Sequence, residues 1–320
     1  MGMNLVDVSV VLVSYNTAEM TKKAIDLVKA SLYQLNIEIF VVDNASRDGS
    51  SALVAREFPD VQLLSNLTNV GFGRANNQVL PHYQGRYMLL LNTDAFVEQD
   101  TLQKTVDFMD GHPQTGILGV KLLGRDGVLQ PSCRYFPTPW NLFLTKTGLN
   151  RLFSNVRLVD DMTWNHDAVR ECDWVPGCYY LIRREVIDQV GLFDPRYFLY
   201  YEEVDHCFAA KRAGWQVTYF PDTPVVHIGG ESAKTDHAIS SVSRQVSALQ
   251  IESELLYFRK NWGLFFVILH VLLSVIAECI LMVKQFIKTP QKVLQILNFK
   301  TLVMFVKLSF LTRLGSQSLR

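Results

Sequence analysis

Four short apolar runs, each closed by polar side chains, constrain this chain more than any other feature. Residues 6–13 end at Ser14-Tyr15-Asn16, and residues 37–42 end at Asp43-Asn44. Residues 61–64 end at Ser65-Asn66, and residues 88–91 end at Asn92-Thr93-Asp94. Helix-length segments, residues 17–35, 50–58 and 73–83, lie between them. A continuous apolar run of this length reads as a strand buried on both faces. Strands alternating with helices imply βαβ units, right-handed crossovers and a mostly parallel sheet. Parallel order puts every strand end on one edge. Tyr15, Asp43, Asn66 and Asp94 are therefore expected around a single crevice, where open α/β sheets bind ligands.

Each of these polar residues, taken alone, could simply start a loop. Together they suit a nucleotide. An ionised Asp43 is acceptor-only and can take a hydrogen bond from a pyrimidine ring N–H. Asp94 is placed to hold a divalent metal on the diphosphate of a nucleotide-sugar. Asn69-Val-Gly-Phe-Gly-Arg-Ala-Asn-Asn77 opens the helix before the fourth strand. Gly71 and Gly73 allow close backbone approach, and a helix N-terminus favours phosphate. A dinucleotide-binding domain would carry its glycine fingerprint directly after the first strand. Ser14-Tyr-Asn-Thr-Ala-Glu19 contains no glycine, which counts against NAD.

Further on, residues 98–109 read as a helix and residues 116–123 as another strand. Residues 130–155, with Pro131, Pro137 and Pro139 among aromatics, read as an irregular segment that could shape an acceptor site. Residues 174–184 read as a loop entering a strand, and residues 190–195 as a turn. Residues 198–214 place Glu202, Glu203 and Asp205 in the first turn of a helix, with Gly214 as its C-cap. Acids there complement the helix dipole, which is explanation enough for a generic helix. They also follow the aromatic cluster Tyr197-Phe-Leu-Tyr-Tyr201, where desolvation and mutual repulsion would raise a carboxylate towards the range of a general base. Residues 215–220 read as a late strand leading to Val225-Val-His-Ile-Gly-Gly-Glu-Ser232. His227 closes a short β-branched run before two glycines and can face an open crevice as a metal ligand.

The chain has 320 residues and a formal net charge of +0, which argues against a general nucleic-acid binder. That length suits one large α/β domain, or a domain with an extension. Cys133, Cys172, Cys178, Cys207 and Cys279 are odd in number and contain no Cys-x-x-Cys. Neither a disulfide framework nor a zinc site is signalled, and a reducing cytosol is the default. Residues 1–7 lack the pattern of a signal peptide.

The C-terminal part differs in character. Residues 251–261 read as a helix, and residues 263–283 are apolar except for His270, Ser274 and Glu278. That length would suffice for a ~20-residue span, although Glu278 at its core would cost ~2.5–3.5 kcal/mol if it behaves like Asp. Arg259 and Lys260 precede it, and Lys284 and Lys288 follow it. After Glu278 there is no acidic residue, yet there are Lys284, Lys288, Lys292, Lys300, Lys307, Arg313 and Arg320. Residues 301–314 are apolar but too short to span. The pattern suits helices lying on an anionic cytoplasmic leaflet. The alternative is a helical pair packed on the rest of the chain or on a homodimer partner.

The runs Val10-Val-Leu-Val-Ser-Tyr-Asn16, Val41-Val-Asp-Asn-Ala-Ser46, 69–77, Leu90-Leu-Asn-Thr-Asp-Ala95, Gly191-Leu-Phe-Asp194, Tyr201-Glu-Glu-Val-Asp205 and His227 fall in a recognisable order. In them the chain resembles the inverting nucleotide-sugar glycosyltransferases of family 2, and within these the bacterial rhamnosyltransferases. The resemblance implies an α/β GT-A (Rossmann-like) fold, a mostly parallel sheet flanked by helices. Its catalytic domain would cover residues 1–235, with the nucleotide-binding half at about 1–125 and the acceptor half at about 126–235. Residues 236–320 would form a C-terminal helical, membrane-associating region.

It also implies roles. Asp43 with Ser14, Tyr15 and Asn16 would hold base and ribose, and Asn69, Gly71, Arg74, Asn77, Asn92, Thr93 and Asp94 would line the rest of the nucleotide-sugar site. Asp94 would ligate Mg2+ or Mn2+ with His227 as second ligand. Glu203 would be the catalytic base, and Trp174 and Gly177 would lie beside the acceptor. The metal motif here is Asn92-x-Asp94 with one carboxylate, which Mg2+ tolerates when phosphates and waters complete its shell. The base position carries Glu203 instead of Asp, which leaves Glu203 and Asp205 both open. The expected reaction moves a sugar, L-rhamnose by resemblance, from a dTDP or UDP donor to a polysaccharide or polyprenyl-diphosphate-linked acceptor at the cytoplasmic face of the cell membrane. A transferase for another donor such as a UDP-hexose, or a silent nucleotide-sugar-binding protein, are the rival readings.

Overall fold

In the computed structural model, residues 6–31, 34–153, 155–229, 242–288 and 297–320 are described. Gly230 to Ser232 and Lys292, used in the sequence reading, lie outside them. The chain forms two compact units. The first comprises residues 1–134, 162–195 and 202–242, and the second residues 135–161, 196–201 and 243–320.

The first unit is built on one sheet. The four expected runs become β1 (Val8–Ser14), β2 (Ile37–Asp43), β3 (Gln62–Ser65) and β4 (Tyr87–Leu91). They pair in parallel in the order β3-β2-β1-β4, with Ser14 level with Asp43 and Asp43 level with Ser65. That register explains why the strand ends share an edge. Both faces are covered, so the strands need no alternation: Val8, Val10, Leu12 and Leu89 are fully buried. The helix α1 (Ala18–Lys29) lays Thr21, Ala24, Ile25 and Val28 on one face, and the helix α2 is Ser50–Glu57. Each such buried aliphatic side chain stabilises the fold by about 1.5–3 kcal/mol before entropy is counted.

Beyond β4 the sheet turns mixed. The short β5 (Ala95–Phe96) follows, then α4 (Thr101–Gly111), β6 (Thr115–Leu123) and β7 (Leu129–Gln130). Later come β8 (Arg170–Cys172), β9 (Tyr179–Arg183), α6 (Arg184–Val190), α7 (Glu202–Arg212) and β10 (Gln216–His227). The strand β9 lies between β4 and β6 and runs antiparallel to both. The unbroken apolar run Tyr179–Ile182 is fully buried like a parallel strand, and apolarity does not encode direction. The residues expected as a late strand and a separate β-branched run form one strand, β10, parallel to β6 with a register shift between Phe220 and Pro224. Pro221 and Pro224 cannot donate to a ladder, and a bulge accommodates them. Gly119 on β6 is where Val175 packs, since an added Cβ would stand 2.5 Å from the Val175 Cβ. That close approach sets the Trp174–Gly177 loop against the sheet.

In the second unit, part of the segment expected to be irregular folds as α5 (Pro139–Thr147) and a 3-10 turn (Leu149–Leu152). Thr138 and Asn141 form a reciprocal capping box, Pro139 occupies the first turn, and Gly148 closes the helix at φ 71°. The proline that suggested irregularity is a helix start. Phe143 and Leu144 of α5 pack on Ala277 of α9 (Leu264–Lys288). The helices α8 (Val242–Asn261) and α10 (Leu297–Leu311) complete this unit. Among the described residues, Leu264–Lys284 is the one stretch long and apolar enough to cross a membrane.

Candidate active site

The edge of the first unit where β1, β2 and β4 end carries most of the expected residues. Asp43 is 3% exposed; its Oδ2 accepts from the Ser46 N–H at 3.2 Å, while its Oδ1 is buried with no partner among the described residues. A buried carboxylate oxygen left without a donor is costly. It is a place where a ligand N–H fits. Asn16, at φ 54°, is tied to the same loop: its N–H donates to Ser46 Oγ at 2.9 Å and its Oδ1 accepts from Arg47 N–H at 2.7 Å. Tyr15 follows Ser14 on this edge and is half-buried.

Ser14 and Thr93 are used inward. Ser14 Oγ is 2.9 Å from Thr21 Oγ1, and Thr17 Oγ1 is 3.1 Å from Thr93 Oγ1. These hydroxyls form a buried cluster that joins the end of β1, the start of α1 and the Asn92-Thr93-Asp94 turn. The loop before α3 (Phe72–Asn77) is likewise held from within. Asn69 Oδ1 accepts from Gly71 N–H at 2.9 Å and from Asn44 Nδ2 at 2.8 Å. Gly71 stands at φ 90°, which a side chain would strain. Asn77 clamps the Phe193 main chain both ways, donating to its carbonyl at 2.7 Å and accepting from its N–H at 3.1 Å. Arg74 Nε donates to the Pro195 carbonyl at 2.6 Å. These bonds join α3 to the Gly191–Asp194 turn.

Asp94 and His227 meet. Ala95 pairs with His227 across the antiparallel β5–β10 ladder. Asp94 Oδ2 accepts from the Gly229 N–H at 3.0 Å, and Asp94 Oδ1 lies 3.6 Å from His227 Nε2. The other ring nitrogen, Nδ1, is 2.9 Å from Gln130 Oε1, while Gln130 Nε2 donates to the His227 carbonyl at 2.9 Å. The carbonyl contact identifies which end of the Gln130 amide is oxygen. Nδ1 therefore carries the proton, and the lone pair of Nε2 faces the carboxylate. Burial pushes the imidazole below its ordinary value, with the Asp94 charge opposing. Two acceptors facing each other suit a shared cation, so the donor set fits a divalent metal. Among the described residues no group of three or more His, Cys, Asp or Glu stands together, so phosphates and waters would complete such a shell.

Glu203 and its neighbours begin α7. Tyr200 and Tyr201, just before it, both take left-handed backbone angles of φ 71° and 70°, strain typical of a constrained site. Glu203 keeps part of its surface open, yet its Oε2 is buried with no partner among the described residues. Burial raises Glu203 above the ordinary glutamate value, and its own N–H, Arg134 and the Val204 N–H oppose this. Glu202 is more fully buried and is raised well above that value, by burial and then by Glu203. Both carboxyls are thus held above the ordinary glutamate value, Glu202 the more strongly. Asp205 is buried and lies about 200° further round the helix, facing away from Glu203.

The loop before β9 joins these parts. Asn92 N–H donates to the Cys178 carbonyl at 3.0 Å. Burial, then the Asp94 charge, and Glu203 more weakly push the Cys178 thiol up to about 12. Gly177 faces the Phe72 ring, where an added Cβ would stand 3.6 Å away. Trp174 is 5% exposed, with the Arg134 guanidinium 4.1 Å over its ring, so its indole is packed rather than offered to solvent. Gln130, Cys178 and the hydroxyls of Thr17 and Thr21 were not identified in the sequence. Gln130 sits on a two-residue strand, too short for any periodic signal.

Residues 9–166 match the model of the glycosyl transferase family 2. An N-acetylglucosaminyl-diphospho-decaprenol L-rhamnosyltransferase of Mycobacterium tuberculosis is 26% identical over 219 residues, 63% of this chain and 70% of the relative. A rhamnosyltransferase, WbbL, of Escherichia coli is 23% identical over 218 residues, covering 63% of this chain and 78% of its own. A mannosyltransferase of Pyrobaculum calidifontis, solved with GDP-Man and Mn2+, superposes with a TM-score of 0.52 at 18% identity, covering 96% of this chain and 74% of that one.

Proposed function

Because this chain is a glycosyltransferase of family 2, we propose that it moves L-rhamnose, with inversion, from a dTDP- or UDP-linked donor to a polyprenyl-diphosphate-linked sugar at the cytoplasmic face of a membrane. The observation that carries the reading is the pair Asp94 and His227, whose Oδ1 and Nε2 lie 3.6 Å apart at the strand-end edge of the sheet. The sugar and the lipid-linked acceptor are suggested by the rhamnosyltransferase relatives. The Mn2+ in the mannosyltransferase complex supports a divalent ion.

Asp43 Oδ1 accepts the ring N–H of a pyrimidine base, which its partnerless burial favours. Asp94 and His227 would hold Mg2+ or Mn2+, which when bound supplies positive charge against the diphosphate. The Gln130 amide keeps the His227 proton on Nδ1, so that Nε2 presents a lone pair. Glu203 accepts the proton of the acceptor hydroxyl as that oxygen bonds to the anomeric carbon. The bond from that carbon to the diphosphate oxygen breaks, and the nucleoside diphosphate leaves with the electron pair. The raised affinity of Glu203 for a proton suits it to this task near neutral pH.

The test is a donor screen with the full chain, a polyprenyl-diphosphate-linked N-acetylglucosamine acceptor, and EDTA. Turnover with a rhamnosyl donor that EDTA suppresses is expected. Turnover with a UDP-hexose alone would replace the sugar, and donor binding without turnover would favour a silent binding protein.

A further inference from the structure

The second unit leaves one helix face uncovered. On α9, Phe265, Ile268, Leu272, Ile276, Val283 and Ile287 are exposed, and Leu264 and Phe286 flank them. At 3.6 residues per turn these six fall within about 100° of arc, a single stripe about 33 Å long. A soluble monomer rarely leaves so long an apolar strip open.

The opposite face of α9 is committed to protein along its whole length. His270 Nε2 lies 3.1 Å from Glu254 Oε2 of α8. Glu278, nearly fully buried, pairs with Lys146 of α5 at 2.7 Å, and Lys284 donates to the Thr147 carbonyl at 2.5 Å. If α9 crossed a bilayer, these partners would be drawn into hydrocarbon, at ~2.5–3.5 kcal/mol for each charged residue near the centre. Lying along the surface, the helix keeps them on the protein side.

The charges nearby select the occupant. Lys307 on α10 and Arg313 after it are exposed and basic, and no exposed acidic residue is described on α9 or α10. Val303, Val306, Phe310 and Leu311 are exposed on α10, which packs on α9. Apolar stripes edged by lysine and arginine match an anionic lipid surface, where the aliphatic stems stay apolar and the charged ends reach headgroups. We propose that the α9 stripe seats this helix lengthwise in one leaflet of an anionic membrane, parallel to the surface and not across it. The placement builds on the reading of a lipid-linked acceptor, but it can be measured without any sugar donor.

Cys279 provides the probe. It is the exposed cysteine, it lies on the stripe side of α9, and the other four are buried. The full chain carrying an environment-sensitive fluorophore on Cys279 is mixed with vesicles of phosphatidylcholine alone or with phosphatidylglycerol. Phe265→Cys and Phe286→Cys, each in a Cys279→Ser background, report the two ends. With phosphatidylglycerol all three labels are expected to shift to the blue, and spin-labelled lipids should place them at one shallow depth, ~5–10 Å into the interface. Ile268→Glu with Leu272→Glu should weaken vesicle binding at least ~10-fold, because affinity follows buried apolar area. Shallow labels at residues 265 and 286 with a much deeper one at Cys279 would mean a span and overturn the proposal. So would no shift with anionic vesicles, or a shift without lipid that grows with protein concentration, the mark of a second copy on the stripe. Failure of the donor screen with success here would sink the reaction and leave this placement standing.

Discussion

Gln130 grips His227 from two sides, its Oε1 accepting a hydrogen bond from Nδ1–H at 2.9 Å and its Nε2 donating to the main-chain carbonyl at 2.9 Å. The ring can then neither flip nor change tautomer without breaking a bond. Gln130→Leu removes both contacts, whereas Gln130→Glu keeps an acceptor for Nδ1–H. Mn2+ affinity, read by electron paramagnetic resonance of the free ion, should fall ~10–100-fold in Gln130→Leu and recover in Gln130→Glu. Equal losses in both variants would make Gln130 merely structural.

Asp94→Ala should abolish metal-dependent turnover and Mn2+ binding while leaving circular dichroism unchanged. Asp94 lies in the turn between β4 and β5, and the hydrogen bond it gives up comes from the half-buried Gly229 N–H. Turnover that still responds to EDTA in this variant would move the metal elsewhere.

The two glutamates at the head of α7 should behave oppositely. Glu203→Gln is expected to lower kcat ~10²–10⁴-fold with little change in donor KM. Glu202→Gln should keep most activity, because burial favours the neutral form of Glu202. The rising limb of kcat/KM against pH should lie above the ordinary glutamate value of 4.5, since burial raises Glu203 and it must lose its proton to act. A limb at or below that value would contradict the assignment.

The same burial has a stability consequence with a definite sign. Glu202 binds its proton more tightly folded than unfolded, so its contribution is fully present below 4.5 and is lost as pH rises through its raised folded value. Melting temperatures of the wild type should therefore decline as pH rises across that window, and Glu202→Gln should flatten the decline. Parallel curves for the two proteins would mean that Glu202 is not the proton holder.

Asp43→Asn tests the base pocket. Replacing a buried acceptor-only oxygen by an amide that also donates should raise donor KM ~10-fold or more and leave kcat nearly unchanged, a loss of about 1.5–3 kcal/mol. An unchanged KM for the donor would remove Asp43 from the nucleotide.

The parallel half of the sheet was legible because β1, β2 and β4 are buried on both faces and so are written as unbroken apolar runs. The meeting of Asp94 and His227 was legible for a related reason, since both close strands that end on one edge. Other features were not. Tyr179–Arg183 is as apolar as a parallel strand, so its reversed direction has no mark in the residues. Pro139 announced irregularity, but in a first turn its missing N–H costs nothing. Asn69 and Asn77 were expected to line the nucleotide-sugar, and their side chains also hold loops together. An amide serves either purpose equally well, and only the geometry of its neighbours distinguishes them. Gln130 is a neutral residue in a two-residue strand, and it became visible only through the ring it touches.

The position of β9 also bears on how the protein is made. This strand is ninth in chain order but fills a central slot, between β4 and β6. Until Tyr179–Arg183 leave the ribosome, both of those neighbours present bare edges, which invite pairing with another nascent chain. A fragment ending at residue 166 would carry the whole family match and still lack its middle strand. It should precipitate or require a chaperone, whereas extending it past β10 would let the two exposed ladders close.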